Sequence, residues 1–152
     1  MPDNEISLFR RAVVALNGGP SDERIIRLAV AQAARTKAEL IAVHVVEIDW
    51  TLPLDTDVAS GSEDVQRVLD SAEAIAESHK LSIEPVLLQA RDVAAAIVDE
   101  ATERGADLLV VGLPYRKRFG GEFAIGRTIP YILQNAPCTV WVVREPMSEE
   151  RT

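Results

Sequence analysis

The residues best suited to chemistry lie between Asp107 and Thr128, in DLLVVGLPYRKRFGGEFAIGRT. An apolar run closes on Gly112, and a basic, glycine-containing loop follows. Gly126, Arg127 and Thr128 then stand just ahead of a second apolar, helix-like segment. The first amides of a helix have no intrahelical partner, and the helix dipole adds partial positive charge at that end. A strand, a cationic glycine loop and a helix start, in that order, suit an anion. Phosphate is the biological anion that most often uses such a place. Glycines in such a loop also serve plain turns, so the pattern leaves a purely structural loop open as well.

Arg127 sits nearest the expected helix start and is the first candidate for a charge-assisted phosphate contact. Arg116, Lys117 and Arg118 read mainly as a solvated run from which one side chain reaches a phosphate. Tyr115 can stack on a base or pack within the loop. A second glycine-rich turn, Asn17-Gly18-Gly19-Pro20-Ser21, ends the first strand sharply. There Asn17 is a turn residue first and a ligand contact second, and Gly18 lets a backbone approach a ligand closely. Val45 would line the sheet beside an adenine. His44 reads as a hydrogen-bonded core histidine and His79 as the close of a helix. Asp49, Asp55, Asp57, Glu63 and Asp64 read as a solvated acidic loop rather than a metal site. No catalytic residue or metal ligand is assigned, because no general base or metal-ligating pair falls beside the loop. Slow ATP hydrolysis therefore ranks below binding.

Alternating strands and helices position these candidates. Strand character runs through Leu8 to Leu16, Leu40 to Val46, Leu81 to Gln89, Leu108 to Val111 and Cys138 to Arg144. Ala12 to Leu16 is apolar at every position, as in a central strand covered on both faces, whereas Pro85 marks the third strand as an edge. Ile25, Ile26, Ala29, Val30 and Ala33 form a helical stripe from Asp22 to about Thr36. Val65, Val68, Leu69, Ala72, Ile75 and Ala76 form another from Glu63 to His79. Asp92 caps a third helix that Gly105 stops after Arg104. Thr128 is expected to cap a short fourth helix near Ile129 to Gln134, and Glu47 to Ser62 is the least regular stretch. Five strands and four helices give an α/β fold with one doubly wound parallel sheet, flavodoxin- or Rossmann-like. It forms a single domain over residues 1–152, with a core from about 8 to 145 and short polar tails. Ligands of such sheets bind beyond the carboxyl ends of the strands, where the strand order reverses. If the first and fourth strands are neighbours, the turns at Asn17 and Gly112 flank one crevice.

Composition bounds the partners. With 47% hydrophobic and 26% charged residues and a net charge of -8, the chain is globular and ill suited to nucleic acid or an anionic membrane surface. No apolar run approaches the roughly 18 residues that a membrane span needs, and the acidic, polar start has no signal-peptide core. The single cysteine, Cys138, excludes an intrachain disulfide and fits a reducing, cytoplasmic setting. Val140, Trp141, Val142 and Val143 lie on the last strand, where an apolar edge invites pairing with a second copy.

Four stretches, VVALNGGPSDE, AVHVVE, DLLVVG and APCTVWVVRE, resemble the universal stress proteins of the A type, and the resemblance covers nearly the whole chain. It implies a five-stranded sheet of order 3-2-1-4-5, a homodimer through the last strand, and ATP or AMP, with or without magnesium, as ligand. The family's ATP pattern is glycine, two residues, glycine, nine residues, glycine, then serine or threonine. Gly112 takes its first position, Tyr115 stands where the second glycine is expected, and Gly126 arrives one residue late with Arg127 between it and Thr128. Asn17 replaces an aspartate common in the family's ATP binders. The fold pattern is therefore specific and the ATP pattern degenerate. The expectation is an adenine-nucleotide-binding regulatory or stress-response dimer. The alternative is a nucleotide-free dimeric interaction module, such as the cytoplasmic domain of a transporter.

Overall fold

A computed structural model describes residues 8–53, 55–57, 62–115 and 125–147. Its elements run β1 (Arg11–Leu16), α1 (Ser21–Thr36), β2 (Glu39–Glu47), α2 (Glu63–Ser78), β3 (Ile83–Ala90), α3 (Val93–Glu103), β4 (Leu108–Leu113), α4 (Thr128–Asn135) and β5 (Thr139–Arg144). Every neighbouring pair of strands is parallel, in the order β3-β2-β1-β4-β5. This is the order that the family resemblance implies.

Because successive strand residues point to opposite faces, the apolar runs of β1, β2 and β4 feed two separate cores. Ala12, Val14 and Leu16 of β1 join Leu40 and Ala42 of β2 and Leu108 and Val110 of β4 beneath α1 and α2. Val13 and Ala15 join Ile41, Val43 and Val45, with Leu109, Val111 and Leu113, beneath α3 and α4. The helices answer with the stripes expected of them: Ile25, Ile26, Ala29, Val30 and Ala33 are buried on α1, and Leu69, Ala72 and Ala76 on α2. Pro85 falls on β3, an edge strand, where its missing N–H disrupts no central ladder.

Helix ends follow from local chemistry. Ser62 accepts a hydrogen bond from the Val65 N–H at 3.4 Å, and Asp92 accepts one from the Ala95 N–H at 3.1 Å. Gly105 follows the last turn of α3 with φ +63°, a conformation in which glycine avoids the Cβ penalty. Thr128 does not cap α4, contrary to expectation. Arg127 occupies the N-cap position without a side-chain hydrogen bond, and Thr128 is the first helical residue. Pro130 thus lies at the third helical position, where its missing N–H is still one of the groups without an intrahelical partner. The first strand starts at Arg11 instead of the expected Leu8, and the Arg10 and Arg11 N–H groups donate to the Asp107 carboxylate. No helix falls among the described residues between Glu47 and Ser62.

Candidate functional site

From the carboxyl end of β1 the chain turns into α1 on one face of the sheet. α4, which follows β4, packs on the other. β1 and β4 are hydrogen-bonded neighbours, so the strand order reverses between them. A cavity of about 420 Å³ opens there on the α3/α4 face. Ala15, Val45, Val111 and Leu113 line it from three strands, and Val93, Ile97 and Ile129 from the two helices. Asn17, Gly112, Gly126 and Thr128 bring polar and backbone groups to the same space.

The two glycine-rich turns differ in what they can offer an anion. In the β1–α1 turn, the Asn17 N–H donates to Asp22 Oδ1 at 3.0 Å and the Gly18 N–H to Oδ2 at 2.8 Å. The Asn17 side chain folds into the turn as well, its Oδ1 accepting the Gly19 N–H at 2.7 Å. This is the turn role expected of asparagine. Burial pushes the Asp22 carboxyl above its ordinary value, opposed by those two N–H groups and by nearby His44. The amides that a phosphate would need here already serve a carboxylate of the chain itself.

At the opposite end, Gly126 has φ +80°, and a Cβ added there would meet no atom of the described residues within 4 Å beyond its chain neighbours. Glycine is required for backbone conformation at this position, not for clearance. The Thr128 and Ile129 N–H groups at the start of α4 have no intrahelical acceptor, so this end carries the partial positive charge. Arg127 adds a full one and makes no ion pair with any described residue. Gly112 serves packing: a Cβ there would come within 2.7 Å of Ser21 Cβ and 3.3 Å of Ile25 Cγ2.

Of the expected site residues, Asn17, Val45, Gly112, Gly126 and Thr128 gather at the one cavity. Gly18 faces a different cavity on the α1/α2 side, beside His44, whose Nδ1 lies 3.1 Å from the Leu16 carbonyl, as a satisfied core histidine should. Arg127 lines an adjoining cavity that it shares with Thr128. The Tyr115 ring lies 5.0 Å from the Arg144 guanidinium carbon, outside the lining of the crevice. Arg116 lies outside the described residues. Val93 and Ile97 went unread because a helical stripe does not say which end of it remains open. Asp22 had a readable signal, since a short acid in the first turn of a helix can reach back to the turn amides before it.

The sequence model of the universal stress protein family matches residues 8–144. The chain belongs to that family. A universal stress protein family structure from Burkholderia pseudomallei is 26% identical, with TM-score 0.68, over 91% of this chain and 98% of that one. A universal stress protein in complex with cAMP is 22% identical, with TM-score 0.66 and coverage of 89% and 96%. A family protein from Arabidopsis thaliana with AMP bound is 16% identical, with TM-score 0.64 and coverage of 93% and 96%. The last two likenesses speak for the fold alone. The sensor protein KdpD of Mycobacterium tuberculosis (strain CDC 1551 / Oshkosh) is 29% identical over 136 residues, which are 90% of this chain and 14% of KdpD. The chain thus spans about a seventh of that relative's length.

Proposed function

We propose that the chain is an adenine-nucleotide-binding regulatory domain whose ligand, AMP or ATP with magnesium, occupies the crevice between β1 and β4. The observation that carries this reading is the pairing, in one cavity, of an apolar sheet surface with a helix start rich in backbone donors. Val45, Val111 and Leu113 suit the faces of a purine, and Gly126, Thr128 and the start of α4 suit a phosphate. The Asp22 carboxylate at the other turn supports this orientation, since a phosphate placed there would meet a like charge. Family members whose structures hold cAMP and AMP support the same ligand class. The reading includes a cytoplasmic setting and a homodimer through β5, whose outer edge is unpaired among the described residues.

The test is calorimetric titration of dialysed protein with ATP, AMP and a cyclic nucleotide, with and without magnesium. Saturable binding that Gly126→Val abolishes supports the site. No heat and no thermal stabilisation from any of them favours the second reading, a nucleotide-free regulatory module. That reading draws on the likeness to a sensor protein of which this chain matches only 14%.

A further inference from the structure

We propose that the crevice accepts a dinucleotide, with one nucleoside in the β1/β4 cavity, the bridging phosphate at the start of α4, and the second base stacked on Trp50. The proposal rests on the nucleotide reading above. A second cavity, of about 440 Å³, meets the first across Val93 and Thr128, which line both. It begins where the first reaches its phosphate end, and a mononucleotide lying as argued would leave it empty. Glu47, Trp50, Arg91, Asp92, Arg127 and Tyr131 surround it.

Trp50 is 77% exposed and stands in the wall of this second cavity, which leaves ring surface open to a flat ligand. It is nevertheless held in place. The Arg91 guanidinium carbon lies 5.0 Å from its ring centre, within cation–π range. The same guanidinium donates through Nη1 to the Asp49 carbonyl at 3.0 Å and through Nη2 to the Leu52 carbonyl at 2.7 Å. Arg91 therefore fastens the loop on both sides of Trp50, and the Asp49 carboxylate tightens it further by accepting the Thr51 N–H at 2.8 Å and hydroxyl at 2.9 Å. A loop and ring ordered in advance remove much of the entropic cost of stacking a base.

The polar groups of this second cavity suit a nucleotide better than a plain aromatic ligand. Arg127, without an ion pair among the described residues, stands beside Thr128, where a bridging phosphate would lie. Asp92 caps α3 by accepting the Ala95 N–H through Oδ1, and the Glu47 carboxylate in the same cavity is an acceptor for an exocyclic amine or ribose hydroxyl. The net charge of -8 disfavours a longer strand.

The probes are adenylyl-(3′→5′)-adenosine and AMP, titrated by calorimetry into the full chain and its Trp50→Ala variant. Trp141→Phe, which leaves Trp50 as the sole tryptophan, provides an emission readout. The dinucleotide should bind about 5- to 150-fold more tightly than AMP, the range that one stacked base supplies. Trp50→Ala should erase that advantage while AMP binds as before, and the dinucleotide should shift or quench Trp50 emission more than AMP does. AMP binding with no dinucleotide advantage, or a Trp50→Ala variant that weakens both ligands alike, overturns the proposal and leaves the mononucleotide reading standing. Failure of both ligands to bind overturns the two together.

Discussion

Gly112→Ala separates two reasons for a glycine at the end of β4, clearance for a ligand and clearance for a helix. The added Cβ would stand 2.7 Å from Ser21 Cβ and 3.3 Å from Ile25 Cγ2. Neither atom is the tip of a loose side chain. Ser21 opens α1 at 2% exposure, and Ile25 is 0% exposed one turn further on. Relief therefore requires the start of α1 to move away from the sheet, and overpacking of this kind costs about 1–3 kcal/mol. In a chain of this size that corresponds to a fall of about 2–12 °C in Tm. Ser21→Gly in the same chain removes the 2.7 Å contact and leaves only the 3.3 Å one, so it should restore much of the loss. By itself it should cost no more than about 1 kcal/mol of helix propensity. Thermal melts of the four proteins without ligand complete the cycle, with a favourable coupling of about 0.5–3 kcal/mol expected for residues in contact. An alanine variant that melts with the parent, or two substitutions whose effects simply add, would refute the packing role and return Gly112 to the ligand.

Three further outcomes are expected. Burial pushes Asp107 up, but the Arg11 and Arg10 N–H groups outweigh it and hold the carboxyl below its ordinary value of 3.8. A depressed folded value contributes stability that is present above the unfolded value and lost as pH falls through the folded one. Asp107→Asn should therefore flatten the acid side of a urea-denaturation series run from about pH 7 to about pH 3, and an unchanged acid limb would count against it. Arg127→Ala should weaken ATP by about 1.5–3 kcal/mol, roughly 10- to 150-fold in Kd, if the guanidinium makes a charge-assisted phosphate contact; equal calorimetric affinities would remove Arg127 from the site. Val142, exposed on the free edge of β5, is the place to break the proposed dimer. Val142→Lys should give a monomer in sedimentation, because a lysine on an edge opposes strand pairing, and an undiminished dimer would move the interface elsewhere.

The sequence disclosed the layers more fully than the loops, for a physical reason. Unbroken apolar runs such as Ala12 to Leu16 and Leu108 to Val111 can be covered only from both sides, and helical stripes between them can cover them only by alternating faces. The boundaries depended on particular side chains instead. Asp107 takes the Arg10 and Arg11 amides at the point where β1 begins, three residues after the expected Leu8. At α4 the chain turns at Gly126, and Arg127 becomes the N-cap in place of Thr128. The edge strand was legible from Pro85, but the direction of Trp141 was not. The sequence gives Trp141 an edge position, whereas the fold turns its ring inward to meet Phe9 edge-on, with centroids 5.8 Å apart and planes at 89°. Among the residues assigned to a dimer contact, Val142 is consequently the one left exposed.

The two glycine turns look alike as sequence, and the charges around them give them opposite uses. Asn17-Gly18-Gly19 is stabilised by an acid that belongs to α1, so its amides point at a negative charge already in place. The turn at Gly126 precedes a helix whose first N–H groups lack an intrahelical acceptor and whose N-cap residue is an arginine. A neutral, flat group is thus favoured toward β1 and β2, and an anionic group toward α4. Tyr115 stands where the family's ATP pattern has a glycine, and its ring lies against Arg144, outside the lining of the crevice. Among the described residues, the start of α4 and Arg127 bring positive charge to this end of the crevice, which adjoins the Trp50 cavity across Val93 and Thr128.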